Sequence, residues 1–230
     1  VQREDQELFE DIFCTPPPIE SFNQLSKKDQ DYCTYLTDIG NRITFIPQDL
    51  QDGFGHAVYC AREWVGDEPF LLLLGDHLYA SDVDASCTRQ MLDIYDKYGQ
   101  NTVGVKRTKG ENVESFGCVS GIWRDENETL TITDVYEKPH IEYARQHLHI
   151  DSMDDDEFLT IFGQYVLNSK IFDYLEEQMR LNMRVKGQFQ LTPCLDRMRQ
   201  EDGFIGYVVQ GRRFDIGTPA TYRDTIANFS

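Results

Sequence analysis

Apolar positions along the 230-residue chain fall into short blocks separated by polar, glycine or proline punctuation. The clearest block is Phe70-Leu71-Leu72-Leu73-Leu74, which stops at Gly75-Asp76. A run this short and apolar on both faces predicts a strand buried between two helical layers of a parallel sheet. Ile43-Thr44-Phe45-Ile46, β-branched and aromatic, predicts a second strand. Further strands are expected at 101–106, at 159–167, at 205–209 and at 213–214, with a hairpin-like pair at 116–123 and 129–136. Helical spacing is expected over 5–13, and Thr15-Pro16-Pro17-Pro18 must end it, because proline lacks a donor and restricts the residue before it. Helix resumes to about residue 36, then over 56–65 and 83–98, after 167, from 191, and from 219, where proline suits a first turn. Strands alternating with helices, with an antiparallel hairpin set in, describe one α/β domain over 1–230.

Composition changes the picture mainly by exclusion. Hydrophobic residues make up 40% and charged residues 27%, with a mean hydropathy of −0.51, as in ordinary globular chains. The formal charge of −18 repels phosphate backbones and anionic membranes, so neither a nucleic acid nor a membrane is expected as a partner. A small anionic ligand stays open, since backbone amides, a lysine or a bound cation can overcome a negative background locally. Cysteines 14, 33, 60, 87, 118 and 194 form no Cys-x-x-Cys pair, which predicts free, mostly buried thiols in a reducing compartment. No apolar run approaches the roughly 20 residues of a membrane span. Val1-Gln2-Arg3-Glu4-Asp5 is neither a leader nor an initiator methionine, so the expectation is a cytoplasmic protein seen as a truncated chain.

Candidate chemistry sits at strand ends, where open sheets place their ligands. Asp76 follows the most apolar block, and Asp215 precedes a glycine turn in Arg213-Phe214-Asp215-Ile216-Gly217. Two such carboxylates could share a divalent cation, since magnesium is held by one or two carboxylates plus substrate phosphates. Gly-Asp is equally common as a turn or a helix cap. Gln48 through Ala57 joins a strand to a helix through Gly53 and Gly55, letting backbone approach a flat or phosphorylated ligand, although a tight turn would look the same. Glu137-Lys138-Pro139 offers opposite charges to a sugar hydroxyl and a phosphate, or is an exposed charge pair. Asp154-Asp155-Asp156-Glu157 lacks calcium-loop spacing and reads as a solvated acidic loop, and His147 and His149 as surface residues.

Taken in order, Gln48 to Ala57, Val65-Gly66-Asp67-Glu68-Pro69, Leu74-Gly75-Asp76, Phe116-Gly117, Glu137-Lys138-Pro139, Gly163-Gln164-Tyr165-Val166-Leu167, Gln190-Leu191-Thr192 and Phe214-Asp215-Ile216-Gly217 form one series. The series resembles the sugar-1-phosphate nucleotidylyltransferases, especially the bacterial-type UTP:glucose-1-phosphate uridylyltransferases. That resemblance implies a Rossmann-like nucleotidyltransferase fold, a mixed but mostly parallel sheet flanked by helices with an antiparallel insertion. It implies transfer of a uridylyl group from UTP to glucose 1-phosphate, giving UDP-glucose and pyrophosphate with the help of Mg2+. Carried over by position, Gln48 and Gly53 contact uracil, with Gly55 and His56 on the nucleotide side. Asp76 and Asp215 hold magnesium, Lys138 the sugar phosphate, and Gly117, Glu137 and Gly163 the sugar. Relatives often form homo-oligomers.

The family pattern opens with a Gly-x-Gly-Thr-Arg loop that grips the triphosphate, and the series here begins after it, so the resemblance implies an amino-terminally incomplete domain with exposed strand edges. Gln188 and Pro193 stand where the family pattern has Glu and Asp. Two other readings compete: a non-catalytic sugar-nucleotide-binding or regulatory subunit, and a glycosyltransferase using Asp82-Val83-Asp84 as its metal motif.

Overall fold

In the computed structural model, which describes residues 1–125 and 128–229, the first part of the chain is helical. It forms α1 (Gln6–Cys14), α2 (Ile19–Gln24), α3 (Lys27–Gly40), α4 (Phe54–Tyr59) and α5 (Arg62–Val65). Helix α1 stops at the prolines, and α3 starts where the Ser26 side chain accepts from the Asp29 N–H. The helix expected at 56–65 divides into α4 and α5, beginning at Phe54 because Gly53, at φ 103°, turns the chain into it. The strand expected at 43–46 is absent. That segment joins no ladder among the described residues: the Val1 ammonium donates to the Ile46 carbonyl, and the Phe45 ring stacks on Phe9 with centroids 6.3 Å apart.

The sheet region follows as β1 (Phe70–Leu73), β2 (His77–Ser81), α6 (Cys87–Tyr98), β3 (Thr102–Lys109), β4 (Gly117–Trp123), β5 (Thr129–Glu137), α7 (Ile141–His147), β6 (Glu157–Leu167), α8 (Lys170–Arg180), α9 (Thr192–Asp202), β7 (Ile205–Val208), β8 (Gly211–Asp215) and α10 (Pro219–Asn228). Six strands form one sheet in the order β1-β6-β3-β7-β5-β4. Strand β6 is its spine. It carries β3 along one side, and β4 near its start (Cys118 opposite Thr160) and β1 near its end (Phe70 opposite Leu167) along the other.

The mixed α/β sheet, its flanking helices and the β4–β5 antiparallel hairpin are as expected. The strand directions are not: among the described strands β3 and β7 are the one parallel pair, and β6 runs antiparallel to β1, β3 and β4. Side-chain periodicity is the same for either direction, so an apolar run cannot reveal it. Nor is β1 central. It lies at a sheet edge, partly exposed along its length, with Leu73 43% accessible.

The core gathers on β6, where every residue from 158 to 167 is buried. Helix α8 adds Ile171, Phe172, Tyr174 and Leu175 to the core cluster, the spacing of one helical face. Leu130, Leu159, Leu167, Leu195 and Phe204 complete the same cluster, each such burial stabilising by about 1.5–3 kcal/mol. Of the six free thiols, Cys87, Cys118 and Cys194 are buried, whereas Cys14, Cys33 and Cys60 are half-buried, fewer than expected. No described helix is long and apolar enough to cross a membrane.

Strands β2 and β8 form a separate antiparallel pair, with His77 opposite Asp215 and Ser81 opposite Gly211. The sequence pattern marks part of β8 and misses β2, and this ribbon is what assembles the site.

Candidate active site

Asp76 is the last residue before β2 and Asp215 the last of β8, so the register that sets His77 opposite Asp215 brings the two carboxylates together. The Ile216 N–H donates to the Asp76 carbonyl at 2.8 Å and ties the two turns. Asp215 is oriented from below: its Oδ1 accepts from the Gly217 N–H at 2.7 Å and from Thr221 Oγ1 at 3.3 Å, and its carbonyl accepts from Thr225 Oγ1 at 2.8 Å. Thr218 caps α10 in a reciprocal box with Thr221, holding these donors in place. A side chain at Gly217 would stand 2.9 Å from Asp76 Oδ2 and 3.2 Å from Asp215 Oδ1. Glycine there keeps open the cradle that both carboxylates face.

The aspartates line a cavity of about 460 Å³, with Lys138, Glu137 and Gly117 on its other wall. Gly117 pairs with Glu137 across β4 and β5, and a Cβ on Gly117 would meet Glu137 Oε2 at 3.1 Å. Glu137 accepts from Thr192 Oγ1 at 2.8 Å. Lys138 takes φ 47°, a left-handed conformation that costs a non-glycine residue about 1–3 kcal/mol. Its N–H donates to the Phe116 carbonyl, and its exposed ammonium has no partner among the described residues. Strain at this position, spent on holding an unpaired cation over a cavity, is an arrangement suited to an anionic ligand.

Gly163 stands just behind the cavity wall at φ 95°, where a Cβ would lie 2.6 Å from His77 Nδ1 and 2.8 Å from the Tyr79 hydroxyl. Four of the predicted residues lie apart. Gln48 Nε2 donates to the Gly53 carbonyl at 3.2 Å and meets His56 Nδ1 at 3.0 Å, closing a turn on itself. Gly53 and Gly55 let the Phe189 carbonyl approach: a Cβ would lie 2.5 Å and 2.9 Å from it, and the Gly55 N–H donates to it at 2.9 Å. This turn meets the cavity through Phe54, which lines it. The Asp82-Val83-Asp84 motif sits beyond the far end of β2, with Asp82 3.6 Å from Arg212, away from the paired aspartates.

Three groups escaped the sequence reading. His77 points from β2 towards the carboxylates, Nε2 to Asp76 Oδ1 being 3.9 Å. Burial, then the Arg213 charge, lowers its pKa, so the imidazole is neutral near pH 7. Tyr79, next on the same face, is pushed up to about 12 by burial. Arg213 is threaded inward, donating to the Ile161 carbonyl at 2.6 Å beneath the Phe116 ring, 3.9 Å away. Burial lowers its pKa, but a guanidinium keeps its proton in proteins, so a fixed cation backs the aspartates. The alternation of His77 and Tyr79 was the available signal, hidden because the residue between them, exposed Leu78, is itself apolar.

A second cavity of about 470 Å³ differs in kind, being lined by Ile43, Ile46, Val58, Trp64, Leu71 and Leu72. It shares Phe54 with the first.

Comparison with known proteins places the chain in a family. The UTP--glucose-1-phosphate uridylyltransferase of Staphylococcus epidermidis is 30% identical over 196 residues, 85% of this chain. The chain spans 62% of that relative's length. A solved apo UDP-glucose pyrophosphorylase superposes with a TM-score of 0.82 at 26% identity, covering 99% of this chain and 78% of that one. A UDP-glucose pyrophosphorylase complexed with UDP-glucose gives 0.73 at 25% identity, covering 92% and 75%. The nucleotidyl transferase family pattern matches residues 13–229, and with the mixed sheet and its strand-end carboxylates this chain belongs to that family.

Proposed function

We propose that the protein carrying this chain transfers the uridylyl group of UTP to glucose 1-phosphate, giving UDP-glucose and pyrophosphate. The observation that carries the reading is the convergence of Asp76, Asp215, Glu137 and Lys138 on one cavity of about 460 Å³. The names of the relatives, and the UDP-glucose held by one structural neighbour, support the choice of substrates. Six free thiols support a reducing, cytoplasmic setting.

Phosphoryl chemistry of this kind asks a protein for positioning and charge stabilisation more than for covalent participation. The attacking oxygen belongs to the glucose 1-phosphate dianion, so no general base is needed. It bonds to the α-phosphorus of UTP while the bond from that phosphorus to the bridging oxygen breaks, and pyrophosphate departs with the electron pair. Lys138 holds the attacking phosphate; its ammonium is uncommitted and its flexible stem can follow the shift of charge. Glu137 accepts from glucose hydroxyls, exchanging its bond with Thr192, in the space that Gly117 leaves and near the backbone of Gly163. Gln48 exchanges its contact with His56 for the uracil edge, beside Gly53 and Gly55. Two carboxylates around an open cradle suit Mg2+, and Asp76 and Asp215 would hold it there. When bound, that ion screens the charge of the gathering phosphates.

The test is direct: purified protein with UTP, glucose 1-phosphate and MgCl2, followed by chromatography for UDP-glucose and by a coupled pyrophosphate assay. Stoichiometric formation of both, absent without either substrate, is expected. A protein that binds UDP-glucose in calorimetry yet forms no product would be the binding subunit instead.

A further inference from the structure

The paired aspartates have a third neighbour able to bind a cation. One ligand atom from each of Asp76, His77 and Asp215 lies within 4.8 Å of the other two, and His77 Nε2 is 3.9 Å from Asp76 Oδ1. Two atoms each about 2.1 Å from one ion can be no more than about 4.2 Å apart, so the His77–Asp76 spacing already fits and the third atom needs only a small inward shift. The His77 side chain is only 9% exposed, yet no hydrogen bond reaches Nε2 among the described residues.

The ring is also held in one orientation. The Tyr79 hydroxyl donates its proton to the Gly163 carbonyl at 2.9 Å, so towards His77 Nδ1, 3.5 Å away, it can act only as an acceptor. A ring proton on Nδ1 can be donated to that hydroxyl, and this is the tautomer that leaves the Nε2 lone pair free for a cation between it and the carboxylates. An imidazole whose far nitrogen is oriented by a hydrogen-bonded neighbour is the usual arrangement of a histidine ligand. Gly163 makes room for it, since any side chain there would collide with both rings.

We infer that His77 Nε2 is a third protein ligand of the cation held by Asp76 and Asp215, giving the site a selectivity for Co2+- or Zn2+-type ions over Mg2+. The inference rests on the proposed reading of the two aspartates as cation ligands. Imidazole nitrogen adds to the affinity for later first-row divalent ions, whereas Mg2+ takes oxygen ligands and gains little from it. The established alternatives for such a side chain, a structural hydrogen bond or a buried filler, leave Nε2 without a partner.

The experiment titrates Co2+ by its visible absorption, with Mg2+ as competitor, into the wild type, His77→Asn, His77→Gln, Asp76→Asn and Asp215→Asn, with the fold of each checked by circular dichroism. The wild-type Co2+ form should show a paramagnetically shifted, exchangeable imidazole N–H resonance from the Nδ1 proton. Both His77 variants should lose that resonance and bind Co2+ at least about tenfold more weakly, while Mg2+ binding changes less than about threefold. If a folded His77 variant keeps the resonance and wild-type Co2+ affinity, or weakens both ions equally, the third ligand is refuted. In that case, loss of Co2+ binding in Asp76→Asn and Asp215→Asn leaves the aspartate reading standing. Wild-type Co2+ binding by the two aspartate variants would refute that reading, and this inference with it.

Discussion

Two cavities of nearly equal volume, about 460 and 470 Å³, share Phe54 and differ in almost everything else. The first is built from strand ends, with two aspartates, a glutamate and an unpaired lysine brought from β5, β8 and the turn before β2. The second lies beside the edge strand β1 and is lined mostly by aliphatic and aromatic residues, Trp64 and Phe70 among them, with Arg42 as its charged residue. Volume therefore says little about chemistry. What separates them is whether the backbone has been shaped to hold particular side chains: left-handed Lys138, the glycine at 217 and the glycine at 163 surround the first.

That contrast breaks most decisively at the carboxylates. Asp215→Asn or Asp76→Asn should lower turnover at saturating Mg2+ by about two or more orders of magnitude, measured as pyrophosphate release. Normal turnover in both would remove the cation from the first cavity. Lys138→Ala should cost roughly ten- to a hundredfold in kcat/KM for glucose 1-phosphate, the worth of a charged hydrogen bond, and less for UTP. The reverse pattern in steady-state kinetics would mean that the lysine serves the triphosphate. Gly163→Ala, which puts a methyl group against His77 and Tyr79 at φ 95°, should destabilise by about 1–3 kcal/mol in urea unfolding and reduce turnover as well. Trp64→Ala sharpens the comparison from the other side: at 65% exposure, it should change stability by no more than about 0.5 kcal/mol and leave kcat within twofold. A large loss of activity from this change would tie the apolar cavity to the chemistry.

Much of the first cavity was legible because its residues follow local rules. Asp76, Glu137, Lys138 and Asp215 each sit where an apolar or alternating run gives way to a turn, and strand ends are where such sheets carry ligands. The fold class was legible for a similar reason, through alternation of strand and helix. What escaped depends on partners distant in sequence. Strand β2 reads His-Leu-Tyr-Ala-Ser, with no clean alternation, and becomes a strand because β8 lies beside it. The segment at 43–46 has strand-like residues but pairs with no strand among the described residues. Gly53 and Gly55 looked like a ligand loop, and their open faces receive the Phe189 carbonyl, a contact no local pattern announces.

The β2–β8 ribbon also bears on the order in which the molecule becomes competent. The β4–β5 hairpin closes over a short connection, whereas the pairing of His77 with Asp215 closes a loop of about 140 residues. Contacts of such long sequence separation are the slowest to form, because loop closure must precede any gain from them. The two carboxylates are thus strangers in any partly folded or half-synthesised chain. A cation that requires both would act as a late staple, stabilising only the finished arrangement and leaving immature chains chemically silent.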